Sequence, residues 1–187
     1  MLIGVTGDTH NNLKNISEIC KIFNEINPSF VIHTGDVTLP KSIAAFSKLE
    51  IPLLGVFGNN DMHEKKDLLK ESKKYAFKFY DEPHFIKKNN IKIAILHHPE
   101  LINEKMTKEM DFILHGHTHR YRSEVINKAL IFNPGECAGI MEGKNNVGLI
   151  DTENLNAKII FAGGANRRMG WSRYLRGKII VHRCTKY

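Results

Sequence analysis

The chain has 187 residues, 42% hydrophobic and 25% charged, enough for one domain with a proper buried core. Its N-terminus lacks the basic flank and long apolar stretch of a signal peptide, and no later run approaches the length of a membrane span. Three cysteines (Cys20, Cys137 and Cys184) without paired spacing argue against a disulfide framework, so the expected setting is cytoplasmic, with no membrane partner. The net charge of +7 is unevenly placed. Arg167, Arg168, Arg173, Arg176, Lys178, Arg183 and Lys186 lie beyond residue 160 with no Asp or Glu among them, and the preceding residues are balanced.

Leu2–Thr6 reads as a short buried strand closed by Gly7. Asn11 or Asn12 can cap the helix that follows, whose residues Leu13, Ile16, Ile19, Cys20, Phe23 and Ile26 recur at helical spacing until Asn27-Pro28. Phe30–His33 is a second strand stopped at Gly35-Asp36. A short helix over 41–49 then leads to the strand Leu53–Phe57, closed by Gly58-Asn59. This alternation predicts a parallel sheet with helical crossovers. Met62–Ser72 reads as a loop. Phe85–Lys88 and Ile91–Leu96 flank the turn Asn89-Asn90, a helix is expected over 100–108, and Asp111–His115 is a further strand. Arg122–Asn127, Ala129–Asn133, Val147–Asp151 and Ala157–Phe161 complete a strand-rich second half. The expected fold is α/β: two mixed β-sheets packed face to face and flanked by helices, an αββα sandwich over residues 1–161 with a basic extension over 162–187.

Seven metal-seeking side chains stand at the ends of these strands. Asp8 and His10 follow the first, Asp36 the second and Asn59 the third; His97 ends the strand Ile91–Leu96, and His117 and His119 follow Asp111–His115. Open parallel sheets bind ligands outside the carboxyl ends of their strands. A turn or a cap would explain any one of these residues; their joint occurrence at matching positions is better explained by a common site. The set is large enough for two divalent cations, and paired cations favour attack of hydroxide on a phosphate ester. Carboxylate, amide and imidazole ligands without thiolate suit manganese, iron, nickel or zinc, with manganese as first choice.

On the blocks Asp8-Thr9-His10, Gly35-Asp36, Gly58-Asn59-Asn60-Asp61, His97, Gly116-His117-Thr118-His119 and Asn133-Pro134-Gly135, the chain resembles the calcineurin-like metallophosphoesterases, nearest to their small phosphodiesterase branch. The resemblance implies that Asp8, His10, Asp36 and His119 hold one metal and that Asn59, His97 and His117 hold the other, with Asp36 shared. It also implies a hydroxide between the ions that attacks a phosphodiester. Asp36, Asn59 and His97 are the expected catalytic centre.

Three positions depart from the family pattern. Asn60 stands where many members carry a histidine that assists the phosphate or leaving group; it is expected to contact substrate, with preference for diesters that have good leaving groups. His63 or His98 could replace the missing donor. His98 follows the liganding His97 where a glycine is usual, and strand alternation predicts that it points away from the site. Glu136 follows Asn133-Pro134-Gly135 where a small hydroxyl residue is usual, and reads as a solvent-facing turn residue beside a small buried Cys137. In the extension, the arginines interleave with Trp171, Tyr174 and Tyr187, a pattern that can grip single-stranded nucleic acid. The alternatives are a helix and short strand, Lys178–Val181, packed on the body or on a second subunit of a homo-oligomer, or a tail expected to be poorly ordered. A nuclease using this tail, or a protein-interaction scaffold like the retromer subunit of similar fold, are therefore the competing readings.

Overall fold

The computed structural model describes residues 1–141 and 145–161. The extension 162–187, with its expected strand Lys178–Val181, lies outside the described residues. Strand β1 (Leu2–Thr6) leads to helix α1 (Leu13–Ile26), β2 (Val31–His33), α2 (Pro40–Ala45), β3 (Leu53–Val56), α3 (Lys65–Lys74) and β4 (Lys78–Tyr80). The second half contains β5 (His84–Lys88), β6 (Ile91–Ile95), α4 (Glu104–Glu109), β7 (Phe112–Leu114), β8 (Arg122–Ile126), β9 (Ala129–Asn133), β10 (Asn146–Asp151) and β11 (Asn156–Phe161).

The strands form two sheets, one six-stranded in the order β11-β10-β1-β2-β3-β4 and one five-stranded in the order β5-β6-β7-β9-β8. β1 to β4 run parallel, as do β6, β7 and β9, while antiparallel neighbours complete each sheet. Alternate residues from both sheets (Ile3, Val5, Ile32, Ile93, Ile95, Phe112, Leu114 and Phe132 among them) form one buried layer. Residues of α1, α2 and α3 cover the outer face of the first sheet, and Met106 of α4 packs with Ala94, Ile113 and Ile131 on the second. The expected four layers are thus present.

Two local expectations need correction. Helix α3 takes up residues 65–72 of the expected loop Met62–Ser72 and runs on to Lys74, and β4 follows it. Only Leu68 and Ser72 of this helix are buried, so its apolar signal is weak, yet Lys, Leu and Glu are good helix formers and Glu71 pairs with Lys74 at 2.6 Å. The expected helix over 100–108 is divided into a 3-10 turn at Pro99–Leu101 and α4, because Asn103 caps a fresh start by accepting from Met106 N. No helix among the described residues is long and apolar enough to cross a membrane.

Candidate metal centre

Each expected ligand follows a strand end, and backbone hydrogen bonds lace these loops together. Asp8 N donates to Gly35 O (3.0 Å), His10 N to Asp36 O (2.9 Å) and Gly116 N to His97 O (3.2 Å). Five of these residues, Asp8, His10, Asp36, His117 and His119, adopt positive φ between 43° and 68°. Asp and His tolerate the left-handed region better than most residues, but each such placement costs free energy that the surrounding contacts must offset. Gly58 has a different constraint: a Cβ there would sit 2.3 Å from Asp36 Oδ1, so only glycine lets the β3 loop approach that carboxylate.

All seven side chains converge, in two groups. In the first, His10 Nε2 lies 3.4 Å from His119 Nε2, His119 Nε2 3.5 Å from Asp8 Oδ1, and His10 Nε2 3.8 Å from Asp36 Oδ2. In the second, Asn59 Oδ1, His97 Nε2 and His117 Nδ1 form a triangle with edges of 3.0, 3.1 and 3.3 Å. Asp36 Oδ2 lies 3.4 Å from His97 Nε2, so one carboxylate oxygen faces both groups.

The donor chemistry fits divalent cations. His97 Nδ1 donates to the Thr34 carbonyl at 2.9 Å, which in the neutral ring leaves a lone pair on Nε2. That lone pair faces the Asn59 and Asp36 oxygens, which are acceptors themselves. Such crowding of acceptors is repulsive unless a proton or a cation lies between them. Donors bound at about 2.1 Å to one ion stand roughly 3.0–3.4 Å apart, close to the spacings seen here. In the metal-free protein, protons take up part of this role. Burial disfavours the His97 imidazolium, yet Asp36 and Asp8 raise its pKa to about 9. The hydrogen bond to Asp8 raises that of His119. Burial opposes ionisation of Asp36, but His97 and the two Asn60 donors hold it below the usual carboxylate range.

Asn60 donates to Asp36 from its backbone N (2.9 Å) and its side-chain Nδ2 (2.7 Å). His63 is exposed. His98 does not point away as strand alternation predicts. β6 ends at Ile95, and Glu82 accepts from the His98 ring and holds it against His117, with ring centroids 4.6 Å apart. Glu136 is fully buried rather than solvent-facing, because its carboxylate accepts from Ile140 N and Met141 N and folds the chain beyond it. Cys137 is a small buried residue; burial pushes its thiol up to about 12.

Three supporting residues escaped the sequence reading. Buried Asp61 accepts from Asp36 N, Gly58 N and Thr38 N, which ties the β2 and β3 loops together. Its motif position was the only signal. Glu82 accepts from the backbone N of His97 and His98, and nothing in the sequence marks it. His33 accepts from Gly35 N at 3.2 Å through Nδ1 and so can donate from Nε2 to Thr9 Oγ1 at 3.0 Å, bracing both loops of the first group.

Burial lowers the His33 pKa to about 3. The unfolded chain takes up that proton near pH 6.5 and the folded protein does not, so stability falls as pH drops through this window. For the metal-free protein, this group alone should cost about 3 kcal/mol between pH 7 and pH 4. Urea unfolding of the wild type and His33→Gln at both pH values checks this. An equally steep loss in the variant would refute it.

The model of the calcineurin-like phosphoesterase superfamily domain matches residues 1–155. The chain belongs to the calcineurin-like phosphoesterase superfamily. Phosphodiesterase MJ0936 of Methanocaldococcus jannaschii is 34% identical over 158 residues, which are 82% of this chain and 94% of that protein. A solved structure described as a novel archaeal phosphodiesterase superposes with a TM-score of 0.79 at 33% identity, covering 86% of this chain and 99% of that one. The phosphoesterase Yfce from E. coli shares the fold, with a TM-score of 0.66 at 18% identity, covering 87% and 100% of the two chains. Membership of this family implies divalent metal ions, and the His and Asp clusters at the strand ends are the candidates to hold them.

Proposed function

We propose that the protein is a phosphodiesterase that works with two divalent cations sharing Asp36. Asp8, His10 and His119 would complete one position, and Asn59, His97 and His117 the other. The observation that carries the reading is the placement of Asp36 Oδ2, 3.8 Å from His10 Nε2 on one side and 3.4 Å from His97 Nε2 on the other. Bound cations would supply Lewis acidity and activate water for attack on phosphorus. Manganese is the first candidate, with nickel, iron and zinc as alternatives.

The chain's own residues set the stage for that chemistry. Asn60 fixes the Asp36 carboxylate from two donors, and Thr34 fixes the His97 ring. Asp8 and Asp36 offset only part of the charge of two dications, so the cleft stays positive for an anionic diester. Asn60 could meet the substrate phosphate while bound to Asp36, but it cannot protonate a poor leaving group. Loss of such a donor costs about 10²–10⁴ in rate. Diesters with good leaving groups are the favoured substrates.

The test uses bis(p-nitrophenyl) phosphate with added manganese. Hydrolysis should disappear with EDTA, return with metal, and exceed that of p-nitrophenyl phosphate by at least about tenfold. Turnover that survives chelation, or a preference for the monoester, would sink the reading. The seven basic residues of 162–187 favour a second reading, in which the domain over 1–161 is a nuclease that grips nucleic acid through its extension. Deleting 162–187 should then weaken salt-dependent oligonucleotide binding while leaving aryl diester hydrolysis intact. The buried free thiols of Cys20 and Cys137 support a reducing, cytoplasmic setting.

A further inference from the structure

The two groups of donors are not equally equipped, and the difference lies at His98. Glu82, just beyond β4, accepts from the backbone N of His97, the backbone N of His98 and the His98 Nδ1. A carboxylate that takes one ring N–H of a histidine fixes its tautomer and orients the other nitrogen, the arrangement common behind metal-binding imidazoles. With Nδ1 engaged, Nε2 is the atom left to His98. The ring is 24% exposed, and its centroid lies 4.6 Å from that of His117 and 4.8 Å from that of His97. One ring nitrogen from each of His97, His98 and His117 falls within 4.8 Å of the other two.

We propose that His98 is an additional ligand of the second metal position, with Glu82 as its positioning carboxylate. This rests on the two-cation reading above and extends it. The second position then has three imidazoles beside the Asn59 carbonyl and its share of Asp36. The first has two imidazoles, Asp8 and its share of the same carboxylate. Imidazole-rich sets suit nickel and zinc, whereas carboxylate, carbonyl and water suit manganese. The two positions should therefore differ in metal preference, the second favouring nickel over manganese more strongly than the first.

The experiment is calorimetric titration of the metal-stripped full chain with nickel and, separately, with manganese. Wild type, His98→Gln, His98→Ala and Glu82→Gln are compared. Glutamine can keep the partnership with Glu82 while offering a poor metal ligand, so His98→Gln guards against simple misfolding in His98→Ala. The wild type should take up two ions per chain. His98→Gln should weaken nickel at one position by about 10- to 100-fold and manganese by no more than about threefold. Glu82→Gln should shift nickel in the same direction by a smaller factor. In the cobalt-loaded protein, His98→Gln should also alter the visible ligand-field bands, a change that loss of a distant support would not produce. Equal weakening of both metals, or unchanged nickel affinity, would overturn the assignment of His98 and leave the two-cation reading standing. Uptake of fewer than two ions by the wild type would overturn both.

Discussion

Asp36→Asn should reduce metal-dependent diester hydrolysis by about 10³-fold or more, while the metal-free protein remains folded. Asp36 is 2% exposed, and its Oδ2 accepts from Asn60 Nδ2 while facing His97 Nε2 and His10 Nε2. An amide leaves two unfavourable choices. If its NH2 takes the place of Oδ2, donors confront the Asn60 amide and the proposed cations. If it takes the place of Oδ1, it confronts the Asn60 backbone N–H, 2.9 Å from that oxygen. Either way, the site loses one of the two aspartate charges that hold the proposed cations together. The fold should survive, because the backbone N of residue 36 still donates to Asp61 and His97 can give up its proton once the neighbouring charge is gone. Thermal melting of the metal-free variant and its hydrolysis rate at saturating manganese separate the two effects. A variant keeping more than about a tenth of wild-type turnover would contradict a shared carboxylate.

The convergence of these side chains was legible in the sequence because the topology does simple work. Each strand–helix–strand unit returns the chain to the same edge of a parallel sheet, so a polar residue just past a strand end is already placed. Asp8, Asp36 and Asn59 follow from that rule, and His97 and His117 from its repetition in the second sheet. What stayed hidden depends on loops meeting in space. Asp61, Glu82 and His33 act by accepting backbone N–H groups from other parts of the chain, and no periodicity records such a contact. His98 was misread for a related reason: alternation of side chains ends with the strand at Ile95, and beyond it Glu82 decides the direction. Helix α3 was missed because a mostly charged helix buries little and so leaves a faint apolar pattern.

The second large effect should come from a residue that binds no metal in this scheme. Asp61→Ala is expected to destabilise the metal-free protein by about 3–5 kcal/mol, which lowers its melting temperature by roughly 10 °C. Its carboxylate accepts from Gly58 N at 2.7 Å, Thr38 N at 2.6 Å and Asp36 N at 2.9 Å, and is fully buried. Burial raises the Asp61 pKa, with the nearby Asp36 charge adding to it, while these N–H groups work the other way. Truncation strands three backbone donors away from water, each costing about 1–3 kcal/mol. Asparagine repairs this only in part, since one acceptor oxygen replaces two and its NH2 faces a donor; Asp61→Asn should fall between Asp61→Ala and wild type. The consequence for the site is specific. Asp36 would lose the anchor on its backbone N, and the β3 loop bearing Asn59 would keep only the Asn60 hydrogen bonds to Asp36 as its tie to the β2 loop, so metal at both positions should weaken together. An Asp61→Ala protein that melts within about 2 °C of wild type, or that loses metal at one position only, would show that the loops are held in register by something else.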